Sequence, residues 1–260
     1  MSRETLRLTF TEDAELYDRV RPHYPPSLYD ELGELLTVAK PRVLEIGPGT
    51  GQATRPMIER GWSVRAVELG AELAAVAQRN LPAAEITVAD FDTWELPEPT
   101  FDLVLSATAF HWLDPETRVR RCAQVLRPGG VLAVVSTHHV AGGSEQFFGD
   151  VQDCYDRFTD DPEKGGLPAE SAVPEDSTEI DASGLFGPVT FRRYGWEVVY
   201  SADEYLELLA SYSGHRALTA QRRDRLYGCV RALIRANGGA VTKRYLTQLS
   251  AAVSLNQPLA

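Results

Sequence analysis

A parallel α/β fold is what this 260-residue sequence predicts, and three observations predict it. Short apolar runs alternate with amphipathic stretches between residues 42 and 136. A glycine-rich turn, Gly47-Pro48-Gly49-Thr50-Gly51, follows directly on the first apolar run. An acid stands in or just after each of the first three runs: Glu45, Glu68 and Asp90. Strands alternating with helices at this spacing mean βαβ units with right-handed crossovers.

The elements follow in order. Tyr24-Pro25-Pro26 is a stiff break, after which Ser27 reads as the N-cap of a helix carrying Leu28, Leu32, Leu35 and Leu36. Strands are predicted over 42–46, 64–68, 86–89 and 101–107, with helices over 51–60 and 71–80. Asp114 and Pro115 open a helix to Leu126. Arg127-Pro128-Gly129-Gly130 then turns the chain into a fifth strand, 131–136. A helix is predicted over 145–158, then a long acidic loop to Asp181, read as a lid or as a surface loop. Val189–Val199 is a strand, 202–212 and 220–236 are helices, and 241–255 closes a hairpin with the 189–199 strand. We expect one domain: an N-terminal helical lid (1–39), a core (40–137), an inserted cap after strand 5 (138–186) and C-terminal strands and helices (187–260).

The chain is 43% hydrophobic and carries a formal net charge of -11. That is enough apolar content for a large core, and enough negative charge to disfavour phosphate backbones and anionic lipid. The expected partner is a small molecule, not nucleic acid or membrane. Arg118, Arg120, Arg121 and Arg127 read as a solvated helix face. Cys122, Cys154 and Cys229 are odd in number and lack metal-ligand spacing, so free thiols in a reducing, cytoplasmic compartment are expected. Met1–Phe10 has no apolar core of a signal peptide, and no run approaches a membrane span. His138 and His139 have no third ligand at metal spacing and read as exposed loop residues; no metal is expected.

The glycine turn carries the chemistry. Glycines between a strand and a helix let a ligand approach the backbone closely. A dinucleotide turn wants G-x-G-x-x-G, and Gln52 occupies the third glycine's place. Glu45, two residues before the turn, suits a ligand ammonium and opposes a pyrophosphate. The pattern therefore favours S-adenosylmethionine over NAD. Glu68 stands where an acid accepts from two ribose hydroxyls. Asp90 is placed to accept from an adenine amino group, with Phe91 or a backbone amide framing the ring.

Glu45-Ile46-Gly47-Pro48-Gly49-Thr50-Gly51, Glu68, Ala89-Asp90, Phe101-Asp102-Leu103-Val104 and Leu126-Arg127-Pro128-Gly129-Gly130 resemble successive motifs of the class I S-adenosylmethionine-dependent methyltransferases. More narrowly, Ala109-Phe110-His111-Trp112-Leu113-Asp114, Tyr17…Arg21-Pro22-His23-Tyr24-Pro25 and Tyr205…Tyr212-Ser213 resemble the type 11 group related to trans-aconitate methyltransferase. The resemblance implies a Rossmann-like, mostly parallel seven-stranded sheet with helices on both faces and a final hairpin.

A methyltransferase of this kind performs an in-line displacement, for which alignment and exclusion of water are the main demands. The expected cofactor residues are Glu45, Gly47, Gly49, Gly51, Glu68, Leu69, Asp90, Phe91, Ala107 and Tyr17. His111 is either the general base or a residue that orients backbone or cofactor; a carboxylate acceptor would need no base. Tyr17 and Tyr24 are read as a lid over the sulfonium or as ordinary packing. Tyr24, Arg21, Trp112, Trp196, Tyr212 and His215 are the candidate substrate wall. An S-adenosylmethionine-binding regulatory module and an NAD-dependent oxidoreductase are the competing readings.

Overall fold

The structure is a computed structural model, and it describes residues 13–159 and 166–255. The predicted features at Met1–Phe10, and part of the acidic stretch, lie outside the described residues. In chain order the elements are α1 (Ala14–Val20), α2 (Pro26–Leu35), β1 (Arg42–Ile46), α3 (Thr54–Glu59), β2 (Ser63–Glu68), α4 (Ala71–Asn80), β3 (Glu85–Val88), β4 (Phe101–Ala107), α5 (Arg118–Val125), β5 (Leu126–His139), α6 (Glu145–Asp150), α7 (Gln152–Phe158), α8 (Thr178–Ser183), β6 (Thr190–Ser201), α9 (Ala202–Ala210), α10 (Ser213–Arg216), α11 (Ala220–Ala236) and β7 (Ala240–Val253).

The strands form a seven-stranded sheet in the order β3-β2-β1-β4-β5-β7-β6. β1 pairs in parallel with both β2 and β4, and β4 pairs in parallel with β5. The order therefore reverses between β1 and β4, where open α/β sheets hold their ligands beyond the strand ends.

Contacts divide the chain into two compact units. The larger comprises 22–137, 175–194 and 247–260. β1, β2 and β4 are almost wholly buried, as parallel strands between helix layers must be, whereas the edge strand β3 has no buried residue. Alternate residues serve opposite cores: Val43, Leu103, Leu105, Val131 and Val135 pack with Leu28, Tyr29 and Leu32 of α2. Leu44, Ile46, Val104 and Leu132 pack with Val119, Cys122 and Ala123 of α5.

The smaller unit comprises 1–21, 138–174 and 195–246. Its core brings Phe147, Phe148, Val151 and Cys154 against Tyr205, Leu208, Leu209, Leu226, Val230 and Ile234. Leu226, Val230 and Ile234 recur every four residues and so line one face of α11. Ser201 and Glu204 form a reciprocal capping box at the start of α9.

Several expectations need correction. Cys154 and Cys229 are joined in a disulfide, and of the three cysteines only Cys122 is free. Their separation of 75 positions hid it, whereas the packing of α7 on α11 brings their Cα atoms to 5.9 Å. His138 and His139 are not loop residues. They end β5 half-buried, with the His139 ring edge-on to Phe148 at 4.5 Å. β5 begins at Leu126, so the Arg127–Gly130 segment is part of the strand rather than a turn before it.

The arginine cluster is not a solvated face either. Arg118 clasps Glu179 of α8 and donates to the Phe110 carbonyl, Arg121 donates to the Phe91 and Trp94 carbonyls, and Arg127 pairs with Asp102. Arg120 alone of the four is exposed. α2 begins at Pro26, one residue before the predicted cap, because proline's fixed φ suits a first helical position. The predicted 145–158 helix runs as α6 and α7. No helix among the described residues is long and apolar enough to cross a membrane.

Candidate functional site

The ends of β1, β2 and β4 and the segments that follow them assemble the site in the larger unit. Gly47 (φ 70°), Gly49 (φ 60°) and Gly51 (φ 102°) all have left-handed backbone. A side chain at Gly47 would meet the Ala109 methyl at 2.5 Å, and one at Gly51 would meet Leu81 at 2.3 Å. Glycine is thus required by backbone conformation and by packing alike.

Glu68, 7% exposed, is what holds this turn in place. Its carboxylate accepts from the Gly49 amide (3.0 Å) on one oxygen and from the Gly70 amide (2.8 Å) on the other. One side chain thereby ties the loop after β1 to the loop after β2. A carboxylate is an acceptor-only group with about four lone-pair sites, the kind of partner that a ribose diol needs.

Glu45 is 1% exposed and accepts from the Thr54 hydroxyl at 2.6 Å. Burial pushes its carboxyl up to about 7, the Thr54 hydroxyl works against that rise, and the Glu68 charge adds to it. A cation arriving nearby would draw the group toward its ionised form. Thr54 had not been singled out from the sequence; its place in the first turn after the glycines was the available signal.

Asp90 is half-buried and accepts from the Asp92 amide at 3.1 Å, while its carbonyl accepts from the Trp94 amide at 2.8 Å. Phe91 is 2% exposed, with its ring in the core beside Leu44 and Val104. Leu69 is half-buried immediately after Glu68, and Ala107 ends β4.

Past Ala107, Thr108 is the one described non-glycine residue at positive φ (54°). Strain of this kind persists only where surrounding contacts enforce it. Here the Thr108 amide donates to the Val135 carbonyl at 2.7 Å, and its hydroxyl lies 2.9 Å from the Tyr24 hydroxyl. Threonine gives no sequence signal for such a conformation. His111 is exposed on a single 3-10 turn, Phe110–Trp112, with its ring 4.7 Å from that of half-buried Trp112.

The larger unit therefore gathers Glu45, the three glycines, Glu68, Leu69, Asp90, Phe91, Ala107, Tyr24, His111 and Trp112. Tyr17, Arg21, Trp196, Tyr212 and His215 belong to the smaller unit. There the Arg21 guanidinium lies 4.7 Å from the Tyr17 ring and 4.6 Å from the Tyr212 ring. Trp196 stacks on Tyr245 at 4.6 Å. His215 lies 3.2 Å from the Tyr155 hydroxyl; burial, with the Lys243 charge, holds its imidazole down to about 4. Lys243 and Tyr245, which sequence reasoning passed over, sit among them on β7.

Residues 44–134 match the family described as the methyltransferase domain. An uncharacterised methyltransferase of Mycobacterium tuberculosis is 39% identical over 134 residues, which is 52% of this chain and 54% of that protein. The chain spans about half the length of the curated relatives it matches first. A solved structure from Anaeromyxobacter dehalogenans, described as a candidate type II methyltransferase, is 22% identical with a TM-score of 0.58, over 92% of this chain and 99% of that one. Phosphoethanolamine N-methyltransferase 2 of Haemonchus contortus, solved with S-adenosyl-L-methionine, is 17% identical with a TM-score of 0.56, over 98% of this chain and 60% of that one. These structural likenesses extend the match in fold. Residues 44–134 thus carry the match to the methyltransferase domain, and the two solved structures agree with it in fold.

Proposed function

We propose that this chain transfers a methyl group from S-adenosylmethionine to a small-molecule acceptor. One observation carries the reading: the Glu68 carboxylate fastens the Gly47–Gly51 turn at the point where the strand order reverses. That arrangement leaves acidic acceptors, and no phosphate cradle, around a close-approach backbone. The residues present fit the cofactor. Glu68 would hold the ribose, buried Glu45 would favour the ammonium end, and Asp90 with the Phe91 backbone and Leu69 would hold the base. When bound, the cofactor supplies an electrophilic methyl group.

The chain's own contribution is alignment and shielding. Thr108, held at positive φ and joined to Tyr24, fixes the course of the backbone from β4 into the His111 turn. His111, exposed beside Trp112, is available to take a proton from an acceptor hydroxyl or amine. An acceptor carboxylate would need only to be oriented.

The test is turnover of an acceptor found by mass spectrometry after incubation with S-adenosylmethionine and a metabolite extract. With that acceptor, His111→Ala is expected to lower kcat ~10²-fold or more, the low end of general-base contributions, while leaving S-adenosylhomocysteine affinity within twofold. An unchanged kcat would make His111 a structural residue. Tight cofactor binding with no product from any extract would favour the regulatory-module reading.

A further inference from the structure

In the smaller unit, Lys243 and Arg21 are cations that no carboxylate among the described residues neutralises. Lys243, in the middle of β7, is 6% exposed. Its ammonium donates to the Tyr212 hydroxyl at 3.2 Å and lies 5.3 Å from the Tyr212 ring and 5.0 Å from the Tyr245 ring. Half-buried Arg21 covers the Tyr212 ring and donates one terminal nitrogen to the Ser211 carbonyl at 2.9 Å. Its Nε is buried without a hydrogen-bond partner. Neither cation forms an ion pair with a carboxylate among the described residues.

The neighbours make the contrast sharp. Arg244, next on the strand, pairs with Glu170 and Glu197, and Arg19 pairs with Glu207. Among the described residues, carboxylates thus pair with the neighbouring arginines and not with this cluster. A buried ammonium without a counter-charge is costly, so an anion arriving here would relieve that cost. The remaining polar groups agree. His215 keeps a buried Nδ1 without a partner, and Tyr212, His215 and Trp196 stay partly exposed, so the cluster has a reachable rim.

We propose that Lys243, Arg21 and Tyr212 form a binding site for the carboxylate or phosphate group of a small molecule. Taking that molecule to be the methyl acceptor rests on the function proposed above; the anion site itself does not. Burial alone would push the Tyr212 hydroxyl up, but Lys243 and Arg21 outweigh it and bring it below the usual tyrosine range. The same two charges would draw in a ligand oxyanion. The competing account is that an ionised Tyr212 already serves as the internal counter-charge.

The experiment uses the full chain, with glutarate and inorganic phosphate as probes in chloride-matched buffer. Calorimetry and thermal melting are run on the native protein, Lys243→Met and Tyr212→Phe. The native protein is expected to bind at least one probe, and the stronger of the two names the anion. Lys243→Met should bind it at least tenfold more weakly, yet melt no lower than the native protein when no anion is present. The proposal is overturned if neither probe binds, or if Lys243→Met binds equally well. It is also overturned if near-ultraviolet tyrosinate absorbance, present at neutral pH in the native protein, vanishes in Tyr212→Phe. S-adenosylhomocysteine is titrated in parallel. Failure of the native protein to bind it would remove the methyltransferase reading while leaving the anion result to stand or fall alone.

Discussion

The two units solve the problem of buried charge in opposite ways. In the larger, Glu45 and Glu68 are nearly inaccessible but have partners in or just after the glycine turn, Gly49 and Thr54, and in the loop after β2, Gly70. In the smaller, Lys243 and Arg21 lie among tyrosines and form no ion pair with a carboxylate among the described residues. Internally satisfied charge shapes a backbone, whereas unsatisfied charge waits for a ligand. The first kind should therefore break the fold of a loop when removed, and the second should relieve it.

The largest effect is expected at Glu68. Glu68→Ala leaves two amides without their acceptor and removes the ribose contact. Each orphaned buried amide costs ~1–3 kcal/mol, so S-adenosylhomocysteine affinity should fall more than about 100-fold, at roughly 1.4 kcal/mol per decade. Glu68→Gln keeps one acceptor oxygen and should fall between. If calorimetry finds native affinity in the alanine variant, Glu68 is not the residue that ties the turn to the cofactor.

Next comes the Cys154–Cys229 bridge, which joins two separated stretches of the smaller unit. Such cross-links are typically worth ~2–4 kcal/mol. Replacing both cysteines by alanine should lower the melting temperature by several degrees, and a reducing agent should do the same to the native protein. A native protein indifferent to reductant would mean that the two thiols are not bridged in solution. It would also return them to the free state that their odd number and spacing had suggested.

These regions also differ in how legible they were. The glycine turn, Glu45, Glu68 and the alternating strands were readable because the contacts that define them are local or follow a fixed period. Ala220–Ala236 and Phe101–Ala107 were read to their ends for the same reason. The smaller unit is assembled from three separated stretches of chain, so nothing local announced that Arg21, Tyr212 and Lys243 would meet. Arg21 and Tyr212 were singled out by resemblance alone, and Lys243 not at all. The arginines after Pro115 misled in the other direction. Their clustering in sequence reads as a solvated face, but guanidinium groups reach carbonyls and carboxylates that sequence spacing cannot reveal.

The smallest expected effect bears on Glu45 and on whether its satisfaction is complete. A carboxyl held up to about 7 is largely protonated at pH 6, although its unfolded counterpart would be ionised. The sign follows from linkage: the folded state retains a proton that the unfolded chain releases near its ordinary value of 4.5, so this group's contribution to stability falls as pH rises from there to about 7. A ligand ammonium that favours the ionised form reverses the preference, and binding must then expel the proton. S-adenosylmethionine affinity should accordingly rise about tenfold between about pH 5.5 and 7, a range below the ordinary titration of an α-amino group. In Glu45→Gln that slope should vanish, with affinity at the upper end no better than native. Should the native protein show a flat profile while Glu45→Gln binds normally, the Thr54 hydroxyl already completes Glu45, and the carboxyl belongs to the loop rather than to the ligand.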